Sequence, residues 1–562
     1  MDAISSSYQF HRELESPISF VRREWQALVI FGGVFVIVLL IGVLAVDPAY
    51  FYPRLGTDPL LYYLKGLAFA ETGHTVARTA INRRPFQYAA MPGVMRAPFM
   101  MMFSDFDNQL RAIQLSNIVL VTVTAVMFAY ILSWALPRSR HWMAIGFTFG
   151  FMLLSPNWVA NVFEPLADAP YAAFAMGALI VLARVLASDR PLGSRPIAIA
   201  GGALLFVMAF MVKFTAPVLT AYAAALALGR ERMHPIQRRT KILATLATVS
   251  VFASLVFLNW GPITRRYLPE PIGFFLRASK PGMILNLMGH ALPSHIVPVY
   301  HLAFAHDPVV RAYHPEFGKT PGDIALTVLG VGLSLVVFYG MWRGRHRFLP
   351  EIWYFLAALP VLTAMIPSTR RYLMPYEPLI QIFFYVGAAA LFAPLSKRIR
   401  LPSISPGLKL GIVLTLALGL VFVRSQRLVG TSGERRAGIS IGRTRSYVDE
   451  VVSTFGDLRR FLESLPKGRS LVIGAWGTTG RWTAIAGIPY YFPDSTLSVA
   501  AREHDIYVLV ECGTLEICQD FDRWDARIRE YLGRQGQFSY DPVFRRNTRH
   551  AKALVYRLRN LH

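Results

Sequence analysis

Three acids stand at the edges of long apolar blocks, where a carboxylate is costly unless it is paired or used. Asp58 falls in Gly56-Thr-Asp-Pro-Leu-Leu-Tyr-Tyr-Leu-Lys-Gly-Leu-Ala-Phe-Ala-Glu-Thr-Gly73, shortly after the first block. Glu164 and Asp168 fall in Phe-Glu-Pro-Leu-Ala-Asp-Ala-Pro, at the end of the third. Interfacial acids of this kind are functional candidates by default. Asp58 also suits a plainer task, because Pro59 follows it at a natural first helical position and an acid there caps the helix; one residue can serve both.

Other chemistry-bearing residues point less sharply. His290, His295, His301, His306 and His314 crowd one polar segment, but their spacing puts no consistent pair on one helix face, so they read as loop histidines rather than a metal site. Gly474, Gly477 and Gly480 follow an apolar run without matching either glycine-rich nucleotide loop, and read as a strand-to-helix turn. The chain has two cysteines, Cys512 and Cys518, close enough in sequence for a local disulfide, with two buried reduced thiols as the alternative.

The elements that must position these residues are mostly membrane spans. Hydrophobic residues make up 54% of the chain against 16% charged. The apolar residues fall in blocks of about 17 to 22, enough to cross a hydrocarbon core. The first block, Leu28 to Val46, is too long for a signal-peptide core and is followed by no small-x-small cleavage site. Further spans are expected at roughly 115–136, 143–160, 170–187, 197–212, 214–228, 242–260, 323–341, 350–366, 373–393 and 408–424, about eleven in all. The short pair flanking Lys213 reads alternatively as two half-spanning helices.

The net charge of +24 would suggest nucleic acid in a soluble protein. Its placement argues otherwise. With the amino terminus inside, every inner connection is basic, including Arg138 and Arg140, Arg190 and Arg195, Arg230 to Lys241, Arg343 to Arg347, and Lys397 to Arg400. That is the positive-inside pattern of a multi-pass membrane protein, contacting lipid and not nucleic acid, and a bacterial inner membrane is its expected location. The same topology faces three long segments outward: 47–114, 261–322 and everything after about 425. The expected organisation is a cytoplasmic segment over 1–25, a transmembrane domain over 26–424, and a periplasmic or extracytoplasmic α/β domain over 425–562. In that last part Ser470 to Gly474, Ile506 to Val510 and Ala553 to Leu558 read as strands and Arg523 to Leu532 as an amphipathic helix. Trp476, Trp482, Tyr490 and Tyr491 read as core aromatics, with stacking on sugar rings as the alternative.

An acid in the first outer loop, a tyrosine-rich helix, an Ala-Glu-Thr-Gly turn, a proline-rich approach to the next span (Arg84-Pro85, Met91-Pro92-Gly93, Ala97-Pro98), a second acid motif and a late Arg-Arg-Tyr-Leu-Met-Pro together resemble the GT-C glycosyltransferases. The likeness runs from about residue 26 to residue 424 and is greatest to the branch with protein O-mannosyltransferases and lipid A aminoarabinose transferase. The motifs are short; their order and common sidedness carry the resemblance. It implies a GT-C-like polytopic α-helical fold and transfer of a sugar from a polyprenyl-phosphate donor to an acceptor hydroxyl of an envelope glycan, lipid or protein. Asp58, matching the first-loop acid, would be the general base of an inverting displacement. Arg371, with Arg370, would bind the donor phosphate. Lys213 is a second phosphate candidate, its alternative being a snorkelling side chain. Glu164 and Asp168 would orient the acceptor, pair with these cations or help hold a divalent metal ion; no ligand spacing chooses among these roles.

Two other classes compete. A polytopic transporter would show comparable halves and acids at the midplane, and neither is present. A non-catalytic envelope-polymer assembly protein would use the outer domain alone and be indifferent to Asp58.

Overall fold

The computed structural model describes residues 2–45, 47–50, 52, 57–73, 91–164, 166–191, 194–213, 216–233, 281–298, 300, 321–364, 372–396, 441–474, 482, 485–486, 504–512, 521–534, 538–548 and 551–560. Side chains at some helix ends, Asp58 among them, lie outside that description. The chain folds as two compact units that do not follow chain order. The first comprises residues 1–37, 118–161 and 167–421, the second residues 38–117, 162–166 and 422–562.

The first unit is helical throughout its described residues. Among these, four helices of the chain are long and apolar enough to cross a membrane: α2 (Pro17–Ala45), α6 (Phe106–Ser133), α9 (Asp168–Leu186) and α13 (Pro321–Gly344). α2 and α6 each run on into the second unit. A fifth candidate is bent by 70° between α7 (His141–Leu154) and α8 (Pro156–Phe163). The bend falls at Pro156, which has no N–H to continue the first helix and is well placed to begin the second. α10 (Pro196–Val212) has 17 residues, about 25 Å of helix and short of a roughly 30 Å core. A 3-10 turn over Ala216–Val218 leads from it to α11 (Leu219–Met233). α14 (Leu349–Ala364) and α15 (Glu377–Ser396) lie where spans are expected, whereas the expected spans 242–260 and 408–424 fall outside the described residues.

Helix contacts in this unit rely on small residues, as they do where lipid supplies no hydrophobic drive between helices. A Cβ on Gly340 of α13 would stand 1.7 Å from the Phe383 carbonyl oxygen of α15, and one on Gly387 would stand 2.2 Å from the Val336 carbonyl oxygen. Backbone therefore meets backbone. The amino-terminal helix α1 (Asp2–Glu13) docks through a charged contact: His11 Nε2 lies 2.7 Å from Glu351 of α14, and its Nδ1 lies 2.7 Å from the Ser7 carbonyl oxygen.

The second unit joins residues 38–117 and 162–166 to the C-terminal stretch. Its sheet has the order β1 (Ser470–Gly474), β2 (Asp505–Cys512), β4 (Lys552–Asn560), β3 (Phe538–Asn547). β1 and β2 are parallel and the other pairs antiparallel, with an irregularity between Pro542 and Phe544 on the edge strand. A proline is tolerated in such a strand at an edge or bulge. Ile473, Ile506, Val508, Val510, Leu554, Tyr556 and Leu558 form the core, joined by Phe521 of α17 (Phe521–Arg534). α16 (Ile441–Glu463) buries Val451, Phe455, Leu458 and Leu462, the i, i+4, i+7, i+11 stripe of an amphipathic helix. α3 (Thr57–Thr72) and α4 (Met91–Val94) meet at two glycines. A Cβ on Gly66 would stand 2.7 Å from the Gly93 carbonyl oxygen, and one on Gly93 would stand 2.7 Å from the Lys65 Cβ.

Candidate functional site

Asp58 lies in the first turn of α3, where the helix dipole favours a negative charge. Helical spacing puts Tyr62 and Lys65 on the same stripe as Asp58, and both are buried. Burial holds the Lys65 ammonium down at about 8. Arg96 is also buried, 5.8 Å from the Tyr62 ring centroid, and burial lowers it to about 10. Two buried cations thus lie on or against α3.

Glu164 occupies an irregular stretch whose backbone is held by side chains. Asn117 Nδ2 donates to the carbonyls of Val162 (3.3 Å) and Glu164 (3.4 Å), Gln114 to Phe163 (3.0 Å), and Arg96 to Leu166 (2.6 Å). Backbone that leaves a helix in a membrane protein needs such partners.

Asp168 opens α9 and is buried, as is Lys213 at the end of α10. Lys213 Nζ donates to Asp168 Oδ1 and stands 4.2 Å from the Tyr372 ring centroid and 5.7 Å from that of Tyr171. Asn161 Oδ1 accepts the Ala169 N–H at 2.9 Å, satisfying one of the amides at the start of α9. Two of the residues singled out in the sequence are therefore brought together, and they neutralise each other. Arg370 and Arg371 lie outside the described residues, but Tyr372, their immediate neighbour, closes over Lys213.

A second buried charged group escapes the sequence reading. Glu377, the first residue of α15, lies 3.0 Å from His295 Nδ1 and accepts from Trp158 Nε1 at 3.1 and 3.2 Å. An acid inside an expected span was the available signal. His290 sits in a π-helical turn (Leu287–Ala291) near Thr327 Oγ1 at 3.4 Å, while His301, His306 and His314 lie outside the described residues. Among the described residues no three His, Cys, Asp or Glu side chains converge as metal ligands.

Trp482 is a core residue. It is fully buried, donates to Glu511 Oε2 at 2.6 Å and packs on Tyr52 and Phe455. Trp476, Tyr490, Tyr491, Gly477 and Gly480 lie outside the described residues. Cys512 is disulfide-bonded; Cys518, the other cysteine of the chain, lies outside the described residues.

Solved structures similar to the chain include two with a bound lipid phosphate. One is ArnT from Cupriavidus metallidurans bound to undecaprenyl phosphate, at a TM-score of 0.48 and 12% identity, covering 94% of this chain and 97% of that one. The other is the oligosaccharyltransferase AglB from Archaeoglobus fulgidus in complex with an inhibitory peptide and a dolichol-phosphate, at 0.45 and 12%, covering 87% and 69%. At these values the likeness carries no weight of its own for the function, which rests on the residues of this chain. No family model and no curated protein sequence matches it.

Proposed function

We propose that the protein is a membrane glycosyltransferase that moves a sugar from a polyprenyl-phosphate donor to an acceptor hydroxyl on the outer side of a bacterial inner membrane. The observation that carries this reading is the composition of the second unit. It gathers the segment with Asp58, the stretch with Glu164 and the chain after residue 422, three regions that the charge pattern assigns to one side.

In the proposed step the acceptor oxygen attacks the anomeric carbon, the bond to the carrier phosphate breaks with its electron pair leaving on the phosphate oxygen, and Asp58 takes the acceptor proton. Direct displacement inverts the carbon. The charge that develops on the leaving phosphate needs fixed cations. Arg371, with Arg370, fits this better than Lys213, whose charge Asp168 already balances. Lys213 then acts through Tyr372, anchoring the residue beside Arg371. Asp168 serves as the cation's partner, and Glu164 is left to orient the acceptor.

Purified protein incubated with undecaprenyl-phosphate-linked mannose, galacturonic acid, aminoarabinose and arabinofuranose is expected to consume one of them, as followed by mass spectrometry. Asp58→Asn and Arg371→Ala are expected to insert normally and lose that consumption. Full turnover by both variants would remove the site assignment.

A further inference from the structure

The guanidinium of Arg459 holds together segments that are far apart in sequence. It projects from α16, beside the stripe that is buried in the second unit. Its Nη1 donates to Tyr52 Oη and to Asp107 Oδ2, each at 2.5 Å; its Nη2 donates to Asp105 Oδ1 at 3.0 Å and its Nε to Glu463 Oε1 at 2.7 Å. Tyr52 in turn donates to Asp107 Oδ1 at 2.6 Å. Burial, then Asp107, keeps the Tyr52 hydroxyl protonated far above its ordinary range.

The contacts continue into the helix that carries Asp58. The Tyr52 ring meets Phe106 edge-on at 5.8 Å and Trp482 at 5.9 Å, and Phe106 meets Tyr63 at 5.1 Å. Tyr63 belongs to α3, and its hydroxyl donates to Gln109, which donates to the Phe103 carbonyl oxygen at 2.6 Å. An unbroken series of polar and aromatic contacts thus runs from the C-terminal stretch to α3.

We infer that Arg459 is a positioning residue for the proposed transfer, its planar fork fixing Tyr52 and Asp107 so that α3, and Asp58 at its start, is set by the C-terminal stretch. The inference rests on the reading of Asp58 as the base. A lysine keeps the charge but cannot donate in three directions from one plane. Small displacements of a catalytic group cost rate rather than affinity.

The test uses the full-length protein and the member of the carrier panel that the wild type consumes. Arg459→Lys is expected to lower kcat about tenfold and Arg459→Gln about a hundredfold, with the donor KM within about twofold. Hydrogen exchange should speed up over residues 57–72 and stay unchanged over α9. Arg460→Gln, on the exposed side of the same helix, should change neither. Wild-type kcat in both Arg459 variants, alongside an inactive Asp58→Asn, overturns this inference alone. Faster exchange throughout, with kcat and KM failing together, also overturns it by reducing Arg459 to general stability. Full activity in Asp58→Asn instead overturns the underlying reading, and the positioning role with it.

Discussion

Each unit of this molecule holds a cation against acid, and the two do so differently. In the first, Lys213 and Asp168 meet with side chains 7% and 0% exposed, framed by Tyr372 and Tyr171. In the second, Arg459 is 16% exposed among Asp105, Asp107 and Glu463, which are 42%, 30% and 41% exposed. An ammonium meets a carboxylate in the dry site. Three acids share one guanidinium in the wet one. A dry pair tolerates no surplus, because a lone charge there has no water to fall back on. A wet cluster tolerates excess negative charge because solvent screens it.

The contrast is most exposed to failure at Lys213. Lys213→Ala should cost about 3–5 kcal/mol by removing the ammonium beside the buried Asp168. The double change Lys213→Met with Asp168→Leu should recover most of that loss, as read by thermal unfolding in detergent; a single variant as stable as wild type would end the distinction. Asp107→Asn should cost less, about 1–3 kcal/mol for charge-assisted bonds. Its cost should also shrink in high salt, which the Lys213 effect should not do.

A pH series on the other dry contact sharpens the picture. Burial by itself lowers the His11 pKa, but the charge and hydrogen bond of Glu351 outweigh it and raise the value above 6.5. A raised folded pKa means that this stabilisation is complete below the ordinary imidazole range and is lost as pH rises through the folded value. His11→Gln should therefore flatten the melting temperature on the alkaline side of pH 6.5. The smallest effect belongs to Arg460, 75% exposed and paired with Asp457 three residues away. Arg460→Ala should change stability by about 0.5 kcal/mol or less.

What the sequence discloses follows from how local each signal is. Among the described residues, the long apolar blocks translate into helices because a span must satisfy its own backbone. The runs at Ser470 and Ile506 translate into strands because a continuous apolar stretch bounded by turns suits a buried sheet. α16 carries its stripe just as openly at Val451, Phe455, Leu458 and Leu462, yet its many charges give it no apolar block and it goes unread. β3 is missed for the opposite reason: Pro542, Arg545 and Arg546 interrupt any alternation, and only its neighbour β4 makes it a strand. At the site, Asp168 and Lys213 are each visible as charges beside apolar runs, but their pairing spans 45 residues and no local pattern encodes it. The group of Glu377, His295 and Trp158 is hidden likewise, with 219 residues between the tryptophan and the acid.

The grip of Arg459 on Asp107 spans 352 residues. At translation rates of about 5–20 residues per second, the segment that carries Asp107 waits roughly 20–70 s between its own synthesis and the arrival of that arginine. During that interval Asp105, Asp107 and Tyr52 lack their contacts with Arg459. A chain that stops short of α16 therefore lacks the guanidinium that bridges Asp105, Asp107 and Tyr52.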